Sequence, residues 1–180
     1  RWLFEAISET YIPLLSTFEA LCEEGVDHKV TMSITPPLLS MLSDTLLQNR
    51  YVRYLEKLIR LTVKEMERTK EQPQVHALAK MYNEKYSNDL YIFKFKYGCD
   101  LISAFSRLQN DKKLEIIASA ATHGFLPLME NPSALRAQIN IGVSVYEKYF
   151  GCSPRGIWLP ECGYTPAIED ALKENRIEYF

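Results

Sequence analysis

Two short stretches of this chain hold side chains able to do proton or nucleophilic chemistry. "RGIWLPECGY" (155 to 164) sets a carboxylate, Glu161, directly behind the apolar run Ile157, Trp158 and Leu159. "ATHGFLPLME" (121 to 130) sets an imidazole, His123, directly behind the apolar run "KLEIIASAA" (113 to 121). Each group follows a segment that reads as a strand, and in parallel α/β folds the loops leaving the carboxyl ends of the strands surround one common mouth. The two strands therefore release a His and a Glu at the same edge. Ordinary structural roles stand beside this reading. His123 could cap or pack a loop. Glu161 could serve as an acid near a helix start, worth roughly 0.3–1 kcal/mol, although Glu169 and Asp170 already supply acid to the helix that begins near Pro166. Trp158 lies inside the strand, which favours a core position over a sugar platform, and Cys162 reads as a small buried filler.

The elements that must position these residues follow from the periodicity. Residues 113 to 180 read β-α-β-α-β. The strand at 113 to 121 is followed by a helix that starts at Asn131-Pro132, an N-cap and first-turn pair, and carries Leu135, Ile139, Val143, Tyr146 and Phe150 on one face. "GIWLP" is the next strand, a helix runs from Thr165-Pro166 to about Asn175, and "IEYF" opens another strand. Alternating strands and helices predict a parallel sheet, either open or closed into a barrel.

Upstream, "HKVTMSI" (28 to 34) alternates as a short strand, and "TPPLLSML" follows as a loop with a short turn. The rest is helical. Two pieces meet near Tyr11, because Pro13 fits only a first turn, and Gly25 closes the second piece. A long helix starts at Ser43 or Asp44, Pro73 interrupts it, and helical material continues over 74 to 110. The aromatic run Tyr91, Phe93, Phe95 and Tyr97 could form a strand, but helix is the favoured reading.

Composition narrows the function classes. A formal net charge of -2 and a pI near 6.0 provide no concentrated basic surface for nucleic acid. No run of about 18 apolar residues predicts a membrane span. The four cysteines match neither a zinc spacing nor a dense disulfide framework, which points to a reduced, cytoplasmic setting. His28, His76 and His123 are too dispersed for a local metal site. Glycine-rich dinucleotide and phosphate loops, the zinc-peptidase motif and the esterase elbow are all missing. The chain opens without Met and closes inside an expected strand, so it reads as an internal piece of a longer protein.

"ATHGFLPLME" and "GIWLPECGY", in this order and separation, resemble two signature regions of glycoside hydrolase family 57. The opening "WLFEAISETYIPLL" and "ITPPLLSML" resemble the early part of that family's 1,4-α-glucan branching enzymes. The resemblance implies one partial domain over residues 1–180, the amino-terminal portion of a distorted (β/α)7 barrel with parallel strands and a helix-rich insertion, acting on α-1,4-glucan with retention of configuration. It implies that Glu161 is the nucleophile and that His123 lines the subsite of the transferred sugar, with Trp158 beside them as a substrate-binding residue. No metal or organic cofactor is implied, and neither nucleic acid nor membrane is expected as a partner. A His-x-Pro region before Trp2 and an acid/base Asp beyond Phe180 are the expected missing parts, so 1–180 alone should be inactive and poorly soluble. An α-amylase or a 4-α-glucanotransferase of the family would share Glu161 and His123, and a catalytically silent glucan-binding module is the alternative outside the enzymes. A metal-dependent deacetylase would need an Asp-Asp pair and His-x-x-x-His, neither of which occurs.

Overall fold

The computed structural model describes residues 1–180. The chain forms two compact units, one of residues 1–26 with 42–104 and the other of 27–41 with 105–180.

The first unit is helical. Helix α1 (Trp2–Ala6) runs through a π turn, Ile7–Tyr11, into α2 (Ile12–Glu23). The two expected pieces are thus one continuous right-handed run. A proline ring collides with the carbonyl four residues back, and the widened turn just before Pro13 accommodates it. Gly25 ends α2 in the left-handed conformation, φ 72°, with the Val26 amide donating to the Leu21 carbonyl at 2.9 Å. Of the two candidate caps for α4 (Thr45–Arg68), Asp44 is used: its Oδ1 accepts from the Leu47 amide at 2.9 Å. Helix α5 (Pro73–Tyr91) packs along α4 and passes into a second π turn, Ile92–Lys96, so the aromatic run is helical as favoured. Phe93 meets Tyr51 edge-on at 4.8 Å between ring centroids in a core shared with Leu15 and Leu55. The Tyr51 hydroxyl and Ser8 Oγ lie 2.7 Å apart, and burial pushes the Tyr51 phenol above its usual range.

The second unit holds the sheet. Strand β1 (Val30–Ser33) lies parallel to β2 (Leu114–Ser119), with Val30 opposite Leu114 and Ser33 opposite Ile117. Strand β3 (Ile157–Trp158) is parallel on the other side of β2, Ala118 opposite Ile157 and Ser119 opposite Trp158. The final segment adds one parallel bridge, Gly156 to Tyr179. The expected parallel α/β order is therefore present, although each strand is shorter than its apolar run.

"TPPLLSML" is a correction. It is not a loop but helix α3 (Pro36–Ser43). Both prolines stand in its first turn, where no amide is needed, and the Leu39 amide donates to the Thr35 carbonyl at 3.0 Å. Helix α6 (Leu101–Asn110) leads into β2. Helix α7 (Pro132–Phe150) follows the reading closely: Leu135, Ile139, Val143, Tyr146 and Phe150 are all buried, and Asn131 Oδ1 accepts from the amides of Ser133 and Ala134 at 2.9 and 3.3 Å. Asn131→Ala removes that cap and should lower the complete protein's stability by about 1 kcal/mol, read as a lower thermal midpoint with activity per folded molecule unchanged. The last expected helix begins as a 3-10 turn, Pro166–Ile168, before α8 (Glu169–Glu174).

Contact between α7 and β2 is very close. A Cβ on Gly142 would lie 2.1 Å from the Ser119 carbonyl oxygen. Only glycine allows the helix backbone to rest on the strand's last residue, and this seat fixes where β2 lets go of the chain.

Candidate functional site

The chain leaves β2 at Ser119 and turns at once. The His123 amide donates to the Ala120 carbonyl at 3.3 Å, and His123 itself takes φ 57°. After β3, Leu159 is buried, and Pro160 to Cys162 form a 3-10 turn in which Glu161 and Cys162 take φ 53° and 56°. The amides of Cys162 and Gly163 donate to the carbonyls of Leu159 and Pro160 at 2.9 and 3.0 Å. Left-handed backbone disfavours side-chain-bearing residues by roughly 1–2 kcal/mol each. Three such residues at one sheet edge mark it as a place where geometry outranks local comfort.

These turns bring the two predicted residues together. His123 Nε2 lies 3.4 Å from Glu161 Oε1, with the side chains 42% and 73% exposed. A His–carboxylate contact so open to water contributes at most about 0–1 kcal/mol, too little to offset the backbone strain. Stability does not account for the arrangement. Chemically, a Glu161 carboxylate can attack an electrophilic carbon or take a proton, and His123 Nε2 stands beside it. The helix-start alternative for Glu161 finds no contact to support it: the acid that engages that region is Glu169, which accepts from the Tyr164 hydroxyl at 2.5 Å and from Lys173 Nζ at 3.2 Å.

Two expectations need correction. Trp158 is not a core residue; it is 40% exposed, whereas its neighbours Ile157 and Leu159 are buried. Strand alternation turns every second side chain to the opposite face, and an apolar triplet conceals that alternation. Cys162 is exposed rather than a buried filler, because the left-handed turn carries it outward.

Other residues support the site without having been legible. A Cβ on Gly163 would lie 2.5 Å from Cε2 of the Phe125 ring, so the loop carrying His123 lies directly on the backbone beyond Glu161. Gln138 on α7 donates from Nε2 to Thr122 Oγ1 at 2.8 Å and accepts at Oε1 from the Thr122 amide at 2.9 Å. The glycine was a detectable signal; the glutamine was not. No group of three or more His, Cys, Asp and Glu side chains gathers as a metal site. A cavity of about 510 Å³ opens at the opposite end of the sheet, among Val30, Leu114, Tyr146 and Arg155, away from His123 and Glu161.

Fold and site define a parallel α/β protein with the His123 and Glu161 side chains gathered at the carboxyl edge of the sheet. The chain belongs to glycosyl hydrolase family 57, whose profile matches residues 1–180. It is 42% identical over 176 residues to the 1,4-alpha-glucan branching enzyme TK1436 of Thermococcus kodakarensis, covering 98% of this chain and 26% of that protein. Among solved structures it is similar to the alpha-amylase AmyC of Thermotoga maritima, at 48% identity and TM-score 0.94, covering 100% of this chain and 34% of that one. It is also similar to the GH57-type branching enzyme of Pyrococcus horikoshii, at 36% identity and TM-score 0.93, covering 99% of this chain and 36% of that one. The chain thus spans about a quarter to a third of the length of these relatives. Its helix-rich architecture and three-stranded parallel sheet agree with the expected portion of the family's (β/α)7 barrel.

Proposed function

We propose that residues 1–180 carry the nucleophile side of a retaining α-glucan enzyme, a 1,4-α-glucan branching enzyme. The observation that carries this reading is the 3.4 Å approach of His123 Nε2 to Glu161 Oε1 at the carboxyl edge of the sheet in a family 57 chain. The 42% identity to a named branching enzyme supports the choice of reaction. In this mechanism Glu161 attacks the anomeric carbon of an α-1,4-linked glucose and the bond to the departing chain breaks. A second carboxylate, about 5–5.5 Å away and outside residues 1–180, protonates the departing oxygen. That carboxylate then activates the 6-hydroxyl of an acceptor glucan, which displaces Glu161 and leaves an α-1,6 branch. Water must be kept from the intermediate for transfer to outrun hydrolysis. His123 hydrogen-bonds the transferred sugar, and the exposed face of Trp158 offers a surface against which a pyranose can pack. Both units belong to one catalytic domain in this reading, and the enzyme works in the cytoplasm.

Product linkage tests the reaction. The complete protein, incubated with amylose, should yield new α-1,6 linkages with little rise in reducing ends. The 48% identity to a named alpha-amylase supports a second reading, hydrolysis by the same Glu161. In that case reducing ends rise and no branches form, whereas redistribution of α-1,4 chain lengths alone would mark a 4-α-glucanotransferase.

A further inference from the structure

We propose that Gln138 is a positioning residue for this site, holding His123 against Glu161 through Thr122; the inference rests on the reading of Glu161 and His123 given above. Gln138 is half-buried on α7 and bonds to the chain just before His123. Its backbone carbonyl accepts from the Ala121 amide at 2.9 Å, its Oε1 from the Thr122 amide at 2.9 Å, and its Nε2 donates to Thr122 Oγ1 at 2.8 Å. Its Cδ would lie 3.9 Å from a Cβ on Gly124. Residues 121 and 122 are thus both held by one side chain and its own peptide.

The chemistry of the contact explains why this residue is a glutamine. Thr122 presents an amide donor and a hydroxyl, and a carboxamide answers both with one acceptor and one donor in a single plane. Alanine answers neither. The need for such a grip comes from His123, whose left-handed backbone persists only where neighbours over-determine it and whose own turn bond is a long 3.3 Å. The reference is rigid as well: one helical turn beyond Gln138, Gly142 rests on the Ser119 carbonyl, so α7 cannot drift relative to the end of β2. Position of the imidazole is therefore set by a helix rather than by its own loop. An error of about 1 Å in a catalytic constellation can cost on the order of 100-fold in rate.

The test compares Q138A, Q138E, T122V and the double variant Q138A/T122V in the complete protein acting on amylose, with E161Q as the reference. Q138A should lower kcat by about 10- to 100-fold while KM stays within about threefold, and the pH profile of kcat should move. Q138E retains the acceptor for the Thr122 amide and can accept from the Thr122 hydroxyl, so it should restore most of the loss. The double variant should be no worse than Q138A, because both substitutions break one clamp. Should Q138A fail to fold, T122V, which breaks the Gln138 Nε2 bond but leaves the Thr122 amide on Oε1, carries the test through a kcat loss of about threefold or more. Unchanged kcat per folded molecule in Q138A, or losses that multiply in the double variant, would overturn the assignment. Turnover surviving in E161Q would instead overturn the underlying reading of the site.

Discussion

Glu161→Gln in the complete protein is expected to cut turnover of α-1,4-glucan by about 10⁴-fold or more, equivalent to roughly 5 kcal/mol of transition-state stabilisation. The carboxamide keeps the size and shape of the side chain but cannot supply the anionic oxygen that bonds to the anomeric carbon. Ground-state contacts to the sugar stay, so affinity for amylose should remain within about threefold. Folding should be nearly unaffected. The replaced group is 73% exposed, and its contact with His123 Nε2 is of the kind worth at most about 0–1 kcal/mol. Kinetics with amylose, a binding isotherm and a thermal midpoint on the same preparation make the distinction. A folded variant that keeps more than about one hundredth of the wild-type turnover sinks the nucleophile assignment, and unchanged activity together with unchanged binding is what a silent glucan-binding module predicts.

The second large effect concerns stability, and it inverts a common rule. Gly→Ala inside a helix ordinarily stabilises by about 1 kcal/mol, because alanine loses less backbone entropy. Gly142→Ala should do the reverse. The new methyl would meet the Ser119 carbonyl oxygen at 2.1 Å, and that partner is backbone, with no flexible end that could swing aside. Either α7 lifts from β2, uncovering Ile139, Val143 and Tyr146, or the end of β2 shifts and moves the turn that carries His123. Overpacking of this kind costs about 1–3 kcal/mol and occasionally more, and a fixed carbonyl sets the expectation at about 3 kcal/mol. Gly151→Ala is the matched control. Nothing lies within 4 Å of its Cβ position, and only the φ of 70° opposes the substitution, so about 1 kcal/mol should be lost there. Urea midpoints of the two variants should separate clearly; equal midpoints would mean that α7 yields more easily than the close approach implies.

The two predicted site residues were legible because each follows an apolar run that ends in a turn, and the parallel order delivered both turns to one edge. Helix α7 was legible for a similar reason, since cap, first-turn proline and apolar stripe agreed with one another. Local patterns were less informative where a short element meets a tertiary demand. Two adjacent prolines in "TPPLLSML" suggested a loop, yet a helix's first turn tolerates both. A place inside the strand favours burial for Trp158, and small size does so for Cys162, whereas strand alternation and a left-handed turn expose them. The grip of Gln138 on Thr122 joins residues 16 positions apart through side-chain geometry that has no sequence period.

The turns at this edge also consume their own backbone. The amides of Ala121, Thr122, His123, Cys162 and Gly163 all donate within the protein. None of these five amides is free to donate to a ligand at this edge. Four of the five bonds run from peptide to peptide, so side-chain substitutions at this edge leave them in place; only the Thr122 amide, held by Gln138 Oε1, depends on a side chain.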